Sequence, residues 1–311
     1  MRRLKMLNEY KARTDELHRR HIGLGYCAGT CGELIQGFNS DGSPFHVSFP
    51  IELGTTCFVR YKSTLCPLTL SGDFGPKAER AAYAAARLVG LKAGVIHLSY
   101  KSDLLVGKGM ASSTADIAAT VRAICDLEGY AVSNQKIVEI ATSIESTDAA
   151  PFPGMAAMNQ KTGELHHVTK HLPDIHVLLV IPDNVVITSD VHLSKENNAK
   201  QDRLLKTFCS LEFPTAEQLG ELATESALIN QQDNPNRFFD ALHVRYRELG
   251  AVGIAVGHTG CLLALMFETF SKAEKAIDLL APQLSIIGPV GLQLTRLAYR
   301  RSDEAIFNTA A

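Results

Sequence analysis

The chain has 311 residues, of which 46% are hydrophobic and 21% charged, and a formal net charge of −2. That composition excludes a disordered chain, and the near-neutral balance argues against a nucleic-acid binder, whose domain is usually strongly basic. No apolar run reaches the length needed to cross a membrane, so neither nucleic acid nor membrane is expected as a partner.

Residues 1–22 read as a basic N-terminal extension. Seven Lys/Arg stand at positions 2, 3, 5, 11, 13, 19 and 20 against three acids at 9, 15 and 16. The segment has no signal-peptide apolar core, and its acids argue against a transit peptide, which leaves a solvated helical arm. The seven cysteines are scattered, odd in number and without a Cys-x-x-Cys pair. They read as small core residues in a reducing cytoplasm, and Cys27 and Cys31 lack the second pair that a shared metal would need.

From Leu24 to Tyr61 the pattern is strand-like: Phe45, Val47 and Phe49 alternate, as do Cys57, Val59 and Tyr61, around the turn-former Asn39–Pro44. Pro76 opens an alanine-rich helix that closes at Gly90. An alternating run from Val95 to Tyr100 follows. Helices are expected over Ala115–Glu128 and Gln135–Ile144, then a hairpin around Lys161–Glu164 and a buried strand over Ile175–Ile181. The remainder predicts helices at 198–210, 215–230, 236–249 and 272–281 and strands at 252–256, 261–267 and 291–298. Thr215 and Gln218 form a capping-box pair. Strands and helices mix without a steady βαβ period, so the fold class is α+β.

Four segments carry chemistry. In Leu104–Ala115 a strand end runs through Gly107, Lys108, Gly109, Met110, Ala111, Ser112, Ser113 and Thr114 straight into a helix. Bare backbone N–H groups at the positive end of a helix suit a phosphate, and glycine lets the main chain approach it. The same features also describe an ordinary capped turn. The segment is not a Gly-x-x-x-x-Gly-Lys-Ser/Thr loop, because Lys108 lies between the glycines with no Ser or Thr beside it. Gly29-Thr30-Cys31-Gly32-Glu33-Leu34-Ile35-Gln36-Gly37 holds a carboxylate and an amide in a glycine-rich turn, which could equally leave Glu33 exposed. In Ser143–Phe152, Glu145 and Asp148 share a helix face if the preceding helix continues. Two solvated acids there would oppose the helix dipole, whereas phosphoryl transfer needs carboxylates for Mg²⁺ and for the attacking hydroxyl. Gly257-His258-Thr259-Gly260-Cys261 is a glycine-rich turn between apolar strands. His166-His167 reads as surface, and Gln231–Asn236 as a loop bordering a pocket.

Gly109-Met110-Ala111-Ser112-Ser113 resembles the Gly-Leu-Gly-Ser-Ser phosphate loop of the GHMP kinases, and the other three segments fall in that family's order. Cys-Gly-Glu-Leu-Ile-Gln-Gly and Lys-Gly-Met-Ala-Ser-Ser-Thr-Ala-Asp are most similar to one branch, the L-threonine kinases associated with cobalamin side-chain synthesis. Two departures stand out: the proline usual at the start of the loop motif is replaced around Leu105, and Thr259 and Cys261 occupy places where serines are common.

The resemblance implies a two-domain α+β architecture, an ATP-binding domain at 23–172 and a second at 173–311, with the active site between them. It implies ATP in the cradle of residues 107–114 and Mg²⁺ on Ser113 and Glu145, with Glu139 as a rival ligand. Asp148 would be the base or hydroxyl-orienting group, and Glu33, Gln36, Asp148, Thr259 and Gly260 would border the substrate. The expected acceptor is a small hydroxy amino acid, L-threonine before L-serine or L-homoserine, in a cytoplasmic protein with a homodimer left open. A non-catalytic nucleotide binder would not need the Glu145–Asp148 pair. A serine hydrolase built on Ser112 lacks a Gly-x-Ser-x-Gly elbow.

Overall fold

The computed structural model describes residues 21–169, 171–184, 196–257 and 260–298. The basic extension up to residue 20 and Thr259 therefore lie outside the described residues.

The first two strands are long. β1 (Ile22–Phe38) and β2 (Pro44–Pro67) form an antiparallel hairpin in register from Ile22↔Arg60 to Phe38↔Pro44. Its turn is closed by Asn39 N–H to Ser43 O (2.8 Å) and by Asp41 Oδ1, which accepts from the Ser43 N–H and hydroxyl and is thereby held below the usual carboxylate range. The register slips three times between Ala28 and Ile35, around Cys31-Gly32-Glu33. Such bulges re-aim side chains next to functional sites.

β3 (Thr69–Gly72) runs parallel to β4 (Ala93–Ser102), and β4 pairs with β2. A hairpin of β5 (Met155–Met158) and β6 (Leu165–Thr169) joins the start of β2, at His46 and Val47. From the second half come β7 (His176–Pro182), β8 (Gly253–Val256), β9 (Leu263–Phe267) and β10 (Val290–Arg296). One sheet takes all ten strands, with the path β10-β7-β9-β8-β1-β2-β4-β3. β1 is therefore the seam between the early and late parts of the chain.

Helix α1 (Pro76–Val89) starts on Pro76 and ends on Gly90 in the left-handed conformation, as its sequence predicts. α2 (Ser112–Leu127) lies on β1 and β2, and α3 (Asn134–Thr142) is capped by Ser133. Arg122 of α2 donates to Tyr26 O (2.6 Å), Asn134 Oδ1 (2.8 Å) and Pro151 O (2.7 Å), which ties helix, sheet and the loop after α3 together. α4 (Asn198–Ser210) and α5 (Ala216–Asp233) pack on β1, and α5 carries the predicted capping box. The buried apolar residues form one large cluster around Phe45, Phe49, Ile117 and Val121 and a second around Leu178, Phe238, Leu265 and Leu284. Each such fully buried side chain contributes about 1.5–3 kcal/mol relative to exposure.

Two expectations change. The helix expected at 236–249 is reduced to α6 (Phe239–His243), because three-residue turns, Arg245 N to Leu242 O and Gly250 N to Arg247 O, take over beyond it. The last helix, α7 (Phe270–Ile287), runs well past the expected end and carries Pro282 inside it. Buried Leu280 and Leu284 seat both sides of that proline in the second core, which outweighs the lost backbone bond.

Candidate active site

α2 begins three residues earlier than expected, at Ser112, so Ser112, Ser113 and Thr114 form its first turn. Its N-cap, Ala111, has φ 55°, the one positive φ of a non-glycine among the described residues, and provides no side-chain cap. The first N–H groups of α2 thus lack an intrahelical acceptor and a capping side chain, the condition under which a helix start binds an anion. A left-handed alanine is strained and is commonly retained at functional turns.

The loop's side chains sort by direction. Met110 is buried, its Sδ accepts from Leu105 N–H, and its carbonyl accepts from Thr30 N–H (3.1 Å). Lys108 is also buried and reaches the end of β7. Gly107, Gly109, Ala111, Ser112 and Ser113 are half-exposed and leave their backbone accessible.

The carboxylates do not lie on a helix. α3 stops at Thr142, because Arg80 of α1 donates to Ser143 O (2.8 Å) and Ile144 O (3.2 Å), and residues 145–148 leave as a loop. The two acids are nonetheless brought to the phosphate loop, at neighbouring places. The Glu145 carboxylate accepts from the Ser113 hydroxyl on one oxygen and from Lys77 of α1 on the other. Asp148 takes a 3.3 Å bond from Thr114 Oγ1, and its own N–H returns to that hydroxyl at the same distance. Thr147 Oγ1 lies 2.9 Å from Thr114 Oγ1. Asp116, the next acid along α2, has its carboxyl raised by burial and further by the Glu145 charge, against the Thr55 hydroxyl. Glu139 remains on the exposed surface of α3, paired with Lys136 at 2.8 Å.

The bulged part of β1 supplies the other wall. Glu33 is buried, and ligand atoms of Glu33, His46 and Asp148 lie within 4.8 Å of one another. His46 Nδ1 is 3.7 Å from Asp148 Oδ1. Ser48, two residues along, accepts from Ala149 N–H (2.9 Å) and so holds the Asp148 loop on β2. Gln36 lies between β1 and α5: its amide donates to Val256 O (3.5 Å) and accepts from Asn230 Nδ2 (3.3 Å). It is braced against the fold where a substrate contact was expected. Near it, a cavity of about 430 Å³ is lined by Asn230, Gln231, Asn236, Arg237, Gly257 and Gly260, in agreement with the reading of 231–236 as a pocket border.

Burial first, then the charge of Asp148 and a hydrogen bond with it, hold the Glu33 carboxyl well above the ordinary range, while the Ser48 hydroxyl opposes them. An unfolded chain would release this proton near pH 4.5. Between that pH and the raised folded value the folded protein binds more protons than the unfolded one, so stability falls as pH rises through the window. Glu33→Gln is expected to remove this slope. Its Tm should exceed that of the parent at neutral pH and above, with the difference shrinking toward pH 4.5. A difference independent of pH would show that Glu33 does not titrate in this way.

Sequence reasoning missed His46, Lys77 and Arg80. His46 and Ser48 sit at the off-beat positions of a strand whose alternation pointed to Phe45, Val47 and Phe49 as its buried face. Both faces of β2 are buried there, one by core and one by the site. Lys77 and Arg80 lie in the first turns of α1, which the sequence marks only as alanine-rich.

Residues 77–157 match the family model described as the GHMP kinases N terminal domain. That stretch of the chain is similar to the GHMP kinases N terminal domain. Among its relatives, the L-threonine kinase of Salmonella typhimurium strain LT2 is 27% identical over 267 residues, covering 83% of this chain and 87% of that protein. The L-threonine kinase of Citrobacter freundii is 28% identical over 259 residues, with 79% and 87% covered. The fold superposes on homoserine kinase from Cytophaga hutchinsonii with a TM-score of 0.70 at 13% identity, covering 90% of this chain and 95% of that one. A mevalonate kinase gives 0.66, also at 13% identity, with 89% and 99% covered. These likenesses support a small-molecule kinase of the GHMP type, for which ATP is the implied phosphoryl donor. No helix among the described residues is long and apolar enough to cross a membrane.

Proposed function

We propose that the protein transfers the γ-phosphoryl group of ATP to the side-chain hydroxyl of L-threonine, giving O-phospho-L-threonine and ADP. The observation that carries this reading is the contact between Asp148 and Thr114, which sets a carboxylate against the first turn of the helix that receives the phosphates. Asp148 takes or orients the hydroxyl proton, and the hydroxyl oxygen attacks the phosphorus as the bond to the ADP oxygen breaks. The loop amides and the positive end of α2 stabilise the charge that spreads over the transferring group. Glu33, buried beside Asp148, borders the acceptor, as does the backbone of Gly260.

Mg²⁺ belongs to the same reading. Ser113 Oγ and Glu145, already joined at the helix start, form a hard oxygen donor set of the kind that Mg²⁺ takes together with phosphate oxygens. Glu33, His46 and Asp148 include an imidazole and suit that ion less well. The ion would draw negative charge from the phosphates when bound. A division into domains at 172/173, between β6 and β7, belongs to the same reading; the second apolar cluster lies wholly beyond that point, while the first spans both sides of it. A cytoplasmic location and a product used in cobalamin synthesis follow from the branch resemblance. The free state of all seven cysteines agrees with a reducing compartment.

The threonine assignment rests on the two relatives named L-threonine kinase. The likeness to a homoserine kinase favours, as a second reading, transfer to L-homoserine. ADP release with Mg·ATP and L-threonine, L-serine, L-homoserine or no acceptor separates them. Release dependent on L-threonine, with phosphothreonine as product, is the expected result. Release with another acceptor would move the substrate, and none with any acceptor would leave a nucleotide-binding protein.

A further inference from the structure

Lys108 is the charged residue of the loop, and its side chain is buried. Its ammonium group donates to Pro182 O at 2.7 Å, Asp183 O at 2.8 Å and Asn184 O at 2.7 Å. The residue is only 9% exposed. An ammonium group has three protons, and here three consecutive carbonyls at the end of β7 accept all of them. Two of those carbonyls, Asn184 O and Pro182 O, also face the Cys261 thiol, a weak donor, at 3.0 and 3.8 Å. The main chain repeats the connection, since Leu262 N–H donates to Lys108 O at 3.1 Å. One residue therefore joins the phosphate loop, the end of β7 and the turn after β8.

We propose that Lys108 is a positioning residue. Its ammonium group clasps the phosphate loop to residues 182–184 and so holds the loop amides in the arrangement that receives the ATP polyphosphate, without touching the nucleotide. The three bonds use up every donor, so the side chain has none left for a phosphate oxygen. Methionine fills similar space with no donor and would leave the Asp183 carbonyl without this partner and the other two with only the weak Cys261 thiol, the costlier side of a broken buried hydrogen bond. Arginine keeps the charge, but its planar fork cannot converge three protons on one point.

This inference rests on the reading of residues 107–114 as the phosphate cradle. The test is calorimetric binding of Mg·ATP and of adenosine to the full chain and to Lys108→Met and Lys108→Arg, with the acceptor KM measured alongside. Lys108→Met is expected to raise the Kd for ATP about tenfold or more, the loss of one to two charged hydrogen bonds. Adenosine, which has no phosphate, should keep its Kd, and the acceptor its KM. Lys108→Arg should fall between the two. Unchanged ATP affinity in Lys108→Met would overturn the proposal, and so would an equal loss for ATP and adenosine, which a purely structural lysine would give. An arginine variant equal to the parent would overturn the clasp in favour of charge alone. If neither variant folds, hydrogen exchange on the unaltered protein decides: ATP should protect residues 182–184 together with 107–111, and protection confined to the loop would refute the coupling. Absence of ATP binding by the unaltered protein would instead count against the cradle itself.

Discussion

Asp148→Asn is expected to lower kcat by about 10²–10⁴-fold, the usual contribution of a positioned acid–base group, while the Kd for Mg·ATP stays within about twofold of the parent. Asparagine has the size of aspartate and can still take the 3.3 Å bond from Thr114 Oγ1, so the loop and the first turn of α2 should keep their arrangement. Only the capacity to accept the hydroxyl proton is lost. The separation of kcat from ATP affinity matters because Asp148 touches the cradle through Thr114. If both constants collapse together, the carboxylate is a brace for the loop. Turnover within tenfold of the parent would remove Asp148 from the chemistry altogether.

The largest loss of stability is expected from Gly32→Ala. Gly32 has φ 90°, and a Cβ built there would lie 2.6 Å from both the carbonyl carbon and the oxygen of Val256 and 2.8 Å from Gly257 N. Both neighbours are backbone, so no side chain can swing aside. A positive φ imposed on alanine costs about 1 kcal/mol or somewhat more, and overpacking adds about 1–3 kcal/mol. The sum is a large part of a typical stability of about 5–15 kcal/mol. Gly90→Ala is the control. That residue ends α1 at φ 78° with nothing within 4 Å of its Cβ, so it reports the conformational penalty alone. Urea unfolding of the two variants gives the comparison, and a Gly32→Ala loss no greater than that of Gly90→Ala would contradict the close approach. Catalysis should suffer as well, because Glu33 is the next residue.

What the sequence disclosed and withheld follows from how local each signal is. The glycine/serine loop, the Gly32-Glu33 turn and the Glu145–Asp148 segment are contiguous runs of unusual composition, and the fold brings them together. Their mutual geometry was not legible. The two acids are three residues apart, which on a helix would align them, yet Arg80 caps the helix early and the loop delivers one to Ser113 and the other to Thr114. His46 is invisible because strand alternation assumes one wet face, and β2 has none at that point. Nothing in the sequence singles out Lys77 and Arg80, which count only once the fold brings the start of α1 to residues 143–145. Lys108 shows the converse: its place in the loop motif suggests a phosphate ligand, and its donors are taken by the carbonyls of residues 182–184.

The strand order has a consequence in time. β1 leaves the ribosome well before its inner neighbour β8 is made: Gln36 bonds to Val256 across 220 positions of chain. At a synthesis rate of about 5–20 residues per second, the Gly32-Glu33 turn waits about 10–45 s for the strand that covers it. During that interval a nascent chain can assemble β1, β2, β4 and α2, with the cradle formed and its far wall missing. The candidate site is therefore completed only when β8 and β9 dock, and a chain that stops before them would carry the loop at the start of α2 without that wall.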